Sequence, residues 1–293
     1  MSEQWTIKKM LEWTSDYFSQ KSIETPRLEA EILLCHVLGL RRIDLYLQFE
    51  KPLSQDELKS FKALIKRRLD NEPVAYLVGK KEFWSRDFFV SSDVLIPRPD
   101  SEHLIEVVLD HIKTLPKEKR ESPMRAFELG LGSGCLSITL LNELPQLSVV
   151  GLDYSAEALA VARKNAEYHG VDARLHFEQG DFLKSDFWDA SYDVVVSNPP
   201  YVSETEFNDL SATVKDHEPR LALVADDNGL AFYPKIATFA KKNLNENGVV
   251  VVEIGESQGM AVKKFFEDAG FSDVLVKKDL AGHDRAVFAI QKP

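Results

Sequence analysis

The chain has 293 residues, of which 44% are hydrophobic and 28% charged, with a formal net charge of −11. This composition is typical of a soluble globular protein long enough for two domains, and it excludes collagen-like and low-complexity classes. The sequence contains no apolar run long enough to span a bilayer, and its polar start lacks the apolar core of a signal peptide. Its two cysteines exclude a disulfide framework.

The charge is unevenly distributed along the chain. Residues 1–80 carry 13 of the 36 basic residues and 12 of the 47 acidic ones, which leaves residues 81–293 with a net charge of −12. A protein that tracks nucleic acid usually shows a basic face, so this balance disfavours that function class and favours a basic protein partner. We expect the protein to be cytoplasmic. The seven histidines are not spaced like metal ligands relative to cysteines or acidic residues, so we expect no metal site.

Helical periodicity dominates the N-terminal part of the chain. One helix is predicted over residues 5–19 and a second over 26–38, where Thr25 and Pro26 occupy favoured N-cap and N1 positions. Two more helices should follow. We therefore predict a small helical domain over residues 1–75.

A change to strand-like residues follows the helical part. The stretch from Lys80 to Ile96 has aromatic residues around a polar turn, which predicts a β-hairpin within a linker at 76–96. Beyond it, helices alternate with apolar strands, so residues 97–293 should form a Rossmann-like α/β domain with a mainly parallel sheet and helices on both faces. Antiparallel strands are predicted at 274–277 and 285–290.

A glycine-rich loop follows the first strand of this α/β domain. The segment FELGLGSGCLSIT places Gly130, Gly132 and Gly134 between a short strand and the start of an apolar helix. Glycine permits a tight turn and lets a ligand approach the backbone at a helix N-terminus. A lone loop of this kind is also typical of an ordinary strand-to-helix turn, so its context has to decide.

Acidic residues follow the next two strands. Asp153 ends the first of them, nineteen positions beyond Gly134, where an acid would meet ribose hydroxyls. Asp153 could equally cap the helix that starts near Ser155, and the two roles are compatible. Asp181 could accept a hydrogen bond from an adenine amino group and Phe182 could pack on the adenine face, although such a turn alone is more often a solvated loop with a core aromatic residue.

The most informative motif is Asn198-Pro199-Pro200-Tyr201, which closes the apolar run DVVVS. Each proline lacks an N–H, keeps its carbonyl and holds its predecessor extended, so the turn displays acceptors and few donors. The Asn198 side-chain oxygen and the Pro199 carbonyl could accept both hydrogens of a planar NH2 group while Tyr201 lies against it. The motif predicts a clamp for N-methylation, and the alternative is an Asn-Pro turn that merely ends a strand.

These motifs occur in the order expected of an adenosyl cofactor site. Over nearly its whole length the chain resembles the bacterial release factor glutamine N5-methyltransferases, which methylate the glutamine of a Gly-Gly-Gln loop. The strings that carry the resemblance are ETPRLEAEILLCHVLG (24–39), PVAYLVGKKEF (73–83), VLIPRPDSE (94–102), ELGLGSG (128–134), SNPPY (197–201), HEPRLAL (217–223) and LAGHDRAV (280–287). NPPY also occurs in adenine-N6 methyltransferases, whereas the N-terminal strings are far more specific.

The resemblance implies S-adenosylmethionine as cofactor, S-adenosylhomocysteine as its product, and no metal. The implied cofactor-binding residues are Glu128, Gly130, Leu131, Gly132, Ser133, Gly134, Asp153, Asp181, Phe182 and Asn198. The implied substrate-binding residues are Asn198, Pro199, Pro200 and Tyr201, of which Asn198, Pro199 and Tyr201 are the catalytic ones. Family members commonly have Asp in place of Glu128 and Thr in place of Leu131, and we expect the glycine N–H groups to hold the cofactor irrespective of both.

The implied partners are class 1 peptide chain release factors, recognised by the N-terminal helices, without direct binding of nucleic acid or membrane. Two other functions stay open: an adenine-N6 type methyltransferase of nucleic acid, and a non-catalytic cofactor-binding scaffold. The acidic charge disfavours the first, and the intact NPPY motif and glycines disfavour the second. Arg98, His217 and Glu218 are placed by resemblance at the mouth of the site, where they could bind substrate or brace loops.

Overall fold

The computed structural model describes residues 4–184, 190–279 and 282–292. The chain divides into two compact units, one of residues 1–80 with 212–217 and the other of residues 81–211 with 218–293. Leu280 and Ala281, the first two residues of the string at 280–287, lie outside the described residues.

The first unit is helical, as predicted. Its helices are α1 (Ile7–Gln20), α2 (Pro26–Leu38), α3 (Arg42–Leu47), α4 (Gln55–Leu69) and α5 (Val74–Val78), together with the later α11 (Ala212–Lys215). Helix α2 has the predicted bounds because Pro26 occupies N1 and Gly39 ends the helix at φ 64. Thr25 stands at the N-cap position, but its hydroxyl makes no capping hydrogen bond. Leu11, Phe18, Leu34 and Phe61 are among the residues of its apolar core.

The predicted hairpin is confirmed as a two-stranded sheet of β1 (Lys80–Phe83) and β2 (Arg86–Phe89). Its two turn residues, Trp84 and Ser85, have positive φ angles of 52° and 56°. Positive φ at both central residues is the turn geometry that fits the twist of a two-residue hairpin. The Trp84 main chain donates to Glu102 at 2.7 Å, which holds the turn in place.

The second unit contains a seven-stranded sheet. Its strands are β3 (Met124–Leu129), β4 (Leu147–Asp153), β5 (Leu175–Gln179), β6 (Tyr192–Ser197), β7 (Leu244–Glu253), β8 (Val274–Lys278) and β9 (Asp284–Ile290). The strand order is β5-β4-β3-β6-β7-β9-β8, and β9 runs antiparallel to both of its neighbours while the other pairs are parallel. The prediction of a mainly parallel sheet with two antiparallel strands at the end is confirmed.

Helices cover both faces of this sheet. The helices of this unit are α6 (Glu102–Thr114), α7 (Lys117–Glu121), α8 (Cys135–Glu143), α9 (Ala156–His169), α10 (Glu204–Asp209), the single turn α12 (Asp226–Gly229), α13 (Tyr233–Asn243) and α14 (Gly259–Asp268), with 3₁₀ turns at Pro99–Ser101, Asp172–Arg174 and Arg220–Ala222. Of these, α6, α8, α9, α13 and α14 pack on the strands. Val194 and Val196 of β6 pack into one core with residues of α6, α8 and α9, whereas Val195 packs into a second core with residues of α13 and α14. Within the described ranges no helix is long and apolar enough to cross a membrane.

The strand order also determines where a ligand can bind. From β3 the chain continues to β4 and β5 on one side and later to β6 and β7 on the other. Open α/β sheets bind ligands at such a reversal, in the crevice beyond the carboxyl ends of the strands. The motifs identified in the sequence follow β3, β4, β5 and β6 at that edge.

Candidate active site

A cavity of about 590 Å³ opens at this edge, within the size range of sites for small ligands. The structure brings ten of the sequence-predicted residues to its wall: Glu128, Gly130, Leu131, Gly132, Ser133, Asp153, Asp181, Phe182, Asn198 and Pro200. Gly134, Pro199 and Tyr201 are not among its lining residues. Gly134 is the N-cap of α8, and the Tyr201 hydroxyl is directed to the carboxyl group of Glu253 at 3.2 Å.

The three glycines of the loop adopt a backbone conformation that other residues rarely take. Gly130, Gly132 and Gly134 have φ angles of 72°, 55° and 78°, a region that favours glycine, and a Cβ on Gly134 would lie 2.9 Å from Ile138. Their amides donate within the protein, to the carbonyl of Leu152 (2.9 Å), the carboxylate of Asp153 (2.8 Å) and the carbonyl of Leu131 (2.8 Å), respectively. These hydrogen bonds fix the loop, and the absence of side chains leaves room above it. That the loop holds the cofactor stays a prediction.

Asp153 connects this loop to α9. Its carboxylate accepts from the amide of Gly132 and, at 2.9 Å, from the amide of Ser155. The capping role considered for Asp153 belongs to Ser155, whose hydroxyl accepts from Ala158 at 3.0 Å. Burial raises the pKa of Asp153, and the backbone hydrogen bonds offset this only in part. Each carboxylate oxygen keeps lone-pair capacity for a further donor in the cavity.

Glu128 and Leu131, the two departures from the family pattern, are both buried. Glu128 accepts hydrogen bonds from the amide (2.9 Å) and the hydroxyl of Ser137, and burial raises its pKa to about 8, with repulsion from Asp153 in the same direction. Leu131 fills space left by Gly151 on β4, where a Cβ would lie 2.7 Å from the leucine Cδ1. The larger side chain at position 131 is thus accommodated by a glycine on the adjacent strand.

Asp181 and Phe182 both line the cavity. Phe182 is 3% exposed and packs against Phe127 and Phe239, so the core-aromatic interpretation is confirmed, yet it also lines the cavity. Asp181 pairs with Lys184 at 2.9 Å, and this ion pair lowers the pKa of the Asp181 carboxyl.

The NPPY turn presents Asn198 in one defined orientation. The Asn198 amino group donates to the Ser101 hydroxyl at 3.0 Å, and among the described residues no group donates to its side-chain oxygen. The main-chain carbonyl of Tyr201 accepts from the Gln258 amide at 3.0 Å, which anchors the end of the motif. Asn198 itself lines the cavity, and its side-chain oxygen is left available as an acceptor.

Comparisons with known proteins identify the family. A model of the PrmC N-terminal domain matches residues 9–79, and a methyltransferase domain model matches residues 120–280. The release factor glutamine methyltransferase of Nitratidesulfovibrio vulgaris is 42% identical over 286 residues, covering 97% of this chain and 95% of the relative. The chain belongs to the release factor glutamine methyltransferase family. The release factor glutamine methyltransferase of Chlorobaculum tepidum is 41% identical to this chain, and the match covers 97% of this chain and 96% of the relative.

Solved structures agree with this family at the level of the fold. The hMettl16 catalytic domain, solved with an RNA hairpin, matches with a TM-score of 0.55 at 16% identity, covering 70% of this chain and 74% of that one. A methyltransferase from Pyrococcus furiosus matches with a TM-score of 0.51 at 16% identity, covering 78% and 98%. At these identities the likeness shows the Rossmann-like methyltransferase fold alone, which confirms the predicted fold class.

Two residues missed in the sequence complete the site of this family member. Both Ser101, which lines the cavity, and Glu253 are buried, and the Ser101 hydroxyl donates to one carboxylate oxygen of Glu253 while Tyr201 donates to the other. Burial raises the pKa of Glu253 and also that of Tyr201. Glu253 could have been found by the rule that pointed to Asp153, since it too is an acid that ends an apolar strand at the ligand-binding edge.

A third missed feature supports the backbone of Tyr201. Asp227, Asn228 and Gly229 in α12 all have positive φ, at 54°, 56° and 81°. A Cβ on Gly229 would lie only 2.0 Å from the Tyr201 carbonyl oxygen. Glycine is therefore required where α12 passes the NPPY motif.

Arg98, His217 and Glu218, from the IPRPDSE and HEPRLAL segments, have different environments in the structure. Glu218 is buried, accepts from the Ile96 amide at 3.1 Å and pairs with Arg98 at 2.6 Å, so it braces a loop. Arg98 also lines the cavity. His217 lies in the first unit, with Nε2 3.1 Å from the carbonyl oxygen of Asp70.

Proposed function

We propose that this protein transfers a methyl group from S-adenosylmethionine to the side-chain amide nitrogen (N5) of the glutamine in the Gly-Gly-Gln motif of class 1 peptide chain release factors. Relatives of that name at about 40% identity over nearly the whole chain support the assignment. The observation that carries the chemistry is the orientation of Asn198, whose amino group donates to Ser101 and whose oxygen remains to accept from a substrate carboxamide.

The carboxyl groups that line the cavity fit a cationic cofactor. Asp93, Asp153, Glu157 and Asp181 contribute carboxyl groups to the cavity wall, against one basic residue, Arg98. Glu128, whose pKa burial raises to about 8, adds little negative charge near neutral pH. S-adenosylmethionine carries a sulfonium and an ammonium group, and acidic walls favour both. Asp153 would accept from the ribose hydroxyls and Phe182 would contact the adenine. When bound, the cofactor supplies the electrophilic methyl group.

The clamp would overcome the low nucleophilicity of an amide nitrogen, whose lone pair is delocalised into its carbonyl. The Asn198 oxygen and the Pro199 carbonyl would accept the two N–H hydrogens and align the nitrogen with the methyl group. Alignment of this kind contributes ~7–11 kcal/mol at best. Because the N–H groups become more acidic during transfer, both acceptors bind the transition state more strongly than the ground state.

As the N–CH3 bond forms and the S–CH3 bond breaks, S-adenosylhomocysteine would leave as a neutral thioether and the N5 proton would pass to water. Because that proton becomes acidic only as the methyl group arrives, no strong base is required. Asn198, Pro199 and Pro200 carry no group that titrates near neutrality. A water-poor pocket also favours the discharge of a sulfonium.

We assign recognition of the body of the release factor to the helical domain at 1–75. The family-specific N-terminal model matches there, and α3 exposes Ile43 and Leu47, the latter to 76%. These two side chains are four residues apart and share one helix face. Replacing both by serine should raise KM for the release factor several-fold and leave kcat and cofactor affinity unchanged.

Methyl transfer from labelled S-adenosylmethionine to purified release factor tests the function. We expect label in the wild-type factor and none in a factor whose Gly-Gly-Gln glutamine is alanine. Asn208→Ala, which changes an exposed asparagine on α10, is a matched control for Asn198→Ala and should retain activity. Label in RNA or DNA but not in release factor would instead establish the adenine-N6 alternative, and cofactor binding without any transfer would establish the scaffold.

A further inference from the structure

A buried chain of hydrogen bonds runs from the clamp into the protein. The Asn198 amino group donates to Ser101 at 3.0 Å, and the Ser101 hydroxyl donates to Glu253. Ser101 is 2% exposed and Glu253 1% exposed. The second carboxylate oxygen accepts from the Tyr201 hydroxyl at 3.2 Å, so both oxygens of Glu253 contact residues of the clamp or its direct support.

The number of hydrogens in this chain fixes its direction. An ionised carboxylate can only accept, and a serine hydroxyl has one hydrogen to donate. Once that hydrogen goes to Glu253, the Ser101 oxygen can only accept from Asn198, and the asparagine must turn its amino group inward. Its oxygen then faces the cavity, as a substrate that brings two N–H donors requires.

Protonation of Glu253 would remove this constraint. A protonated carboxyl must itself donate, because a buried hydroxyl without a partner is costly. If it donates to Ser101, the serine hydrogen becomes free to point at Asn198, and the carboxamide is stabilised in the reversed orientation. The amino group of Asn198 would then face the N–H donors of the substrate.

We propose that Glu253 is a positioning residue of this enzyme: its carboxylate, acting through the Ser101 hydroxyl, holds the side-chain oxygen of Asn198 toward the substrate amide. This inference rests on the proposed function. It predicts that turnover requires ionised Glu253, although Glu253 itself does not touch the substrate.

Several charged and titratable groups surround Glu253. Among the described residues, the charged and titratable groups that interact with it are Tyr201, Tyr233 on α13, Arg285 on β9, Cys135 on α8 and Asp100 in the 3₁₀ turn Pro99–Ser101. Burial raises its pKa, hydrogen bonds from Ser101 and Tyr201 and the charge of Arg285 lower it, and Asp100 raises it, with a net upward shift from 4.5. At saturating substrates, kcat should therefore fall as the pH is lowered through a value above 4.5.

Steady-state kinetics of Ser101→Ala, Glu253→Gln and the double variant test the proposal, after wild-type transfer to release factor has established the function itself. Ser101→Ala should lower kcat by about 10- to 100-fold, the size seen when residues that orient metal ligands are removed. The cofactor Kd from calorimetry should stay unchanged. Adding Glu253→Gln to Ser101→Ala should lower kcat little further, because both residues act through one chain of hydrogen bonds. Ser101→Thr, which keeps the hydroxyl, should retain most of the turnover.

The pH dependence separates this role from a merely structural one. In wild type the kcat profile should show the acidic limb, and the Asn198 side-chain 15N resonance of the cofactor-free protein should shift with the same pKa. Ser101→Ala should abolish both effects. Ser148→Ala is the matched control, since this half-buried hydroxyl on β4 donates to the Met124 carbonyl at 3.3 Å and, among the described residues, to no other group.

The proposal would be overturned if folded Ser101→Ala kept wild-type kcat and its acidic limb, or if the two single effects were additive. Should Ser101→Ala fail to fold, Ser101→Cys keeps the volume while weakening the hydrogen bonds, and the same two outcomes apply. Absence of transfer by wild type would instead refute the proposed function, and the 15N titration would still decide whether Glu253 controls Asn198.

Discussion

The approach of α12 to the NPPY motif makes Gly229→Ala a sharp test of how Tyr201 is held. Alanine at this position would need φ near 81°, a left-handed conformation that costs roughly 1–2 kcal/mol for a residue with a Cβ. Its Cβ would also start 2.0 Å from the Tyr201 carbonyl oxygen, closer than the 3.0 Å that real contacts respect. The carbonyl must therefore retreat by roughly 1 Å, and its hydrogen bond from Gln258 is lost.

Gly170→Ala supplies the matched control. Gly170 ends α9 at φ 67°, and a Cβ there would meet nothing within 4 Å, so this variant bears the conformational cost alone. A carbonyl that loses its hydrogen bond costs roughly 1–3 kcal/mol, so Gly229→Ala should lose about 1–3 kcal/mol more of the free energy of unfolding than the control. Because Tyr201 moves with it, kcat should also fall at least about tenfold.

Urea denaturation and steady-state methyl transfer to a release factor measure both effects. We expect Gly170→Ala to keep wild-type kcat, and both variants to keep the cofactor Kd, because α12 does not line the cavity. If Gly229→Ala matched Gly170→Ala in stability and turnover, the proposed support of Tyr201 by α12 would be refuted.

Three further substitutions test the site. Asn198→Ala should lower kcat by roughly 10²–10³ with cofactor affinity intact, as for the loss of one positioned transition-state contact, and near-normal turnover at saturating cofactor would count against the clamp. Asp153→Ala should weaken cofactor binding by about 1–3 kcal/mol in calorimetry, and unchanged affinity would count against the ribose assignment. Glu128 has a folded-state pKa raised from 4.5 to about 8, so the folded protein binds the extra proton between these values and its free energy of unfolding falls as the pH rises through that window. Glu128→Gln should remove this pH-dependent loss in denaturation experiments between pH 5 and 9, and a persisting slope of the same size would contradict it.

Much of the fold was predictable because the signals are local. Helix α2 was predicted to the residue because Pro26 and Gly39 mark its two ends, and the hairpin and the strands of the sheet followed from short apolar runs between turns. One topological rule, that parallel strands end at a common edge of the sheet, predicts that the four motifs of the site lie close together. That the segment 212–217 belongs to the first unit could not be read from its position in the chain.

The supporting residues of the site were missed because their partners are far away in sequence. Asn198 and Ser101 are 97 positions apart, and Ser101 and Glu253 are 152 apart, so no local pattern connects them. The sequence of the glycine loop shows where the backbone can turn left-handed, but it does not show that the amide of Gly132 donates to Asp153. Residue type gives conformational freedom, whereas hydrogen-bond direction depends on the neighbouring strand.

The central claim is that Asn198 accepts a hydrogen bond from the substrate amide. A crystal structure with S-adenosylhomocysteine and a Gly-Gly-Gln peptide would test it most directly. We expect the Asn198 side-chain oxygen and the Pro199 carbonyl oxygen each within about 3.2 Å of the glutamine amide nitrogen, with the Asn198 amino group still donating to Ser101. A glutamine amide bound elsewhere, or one that meets the amino group of Asn198, would contradict the claim.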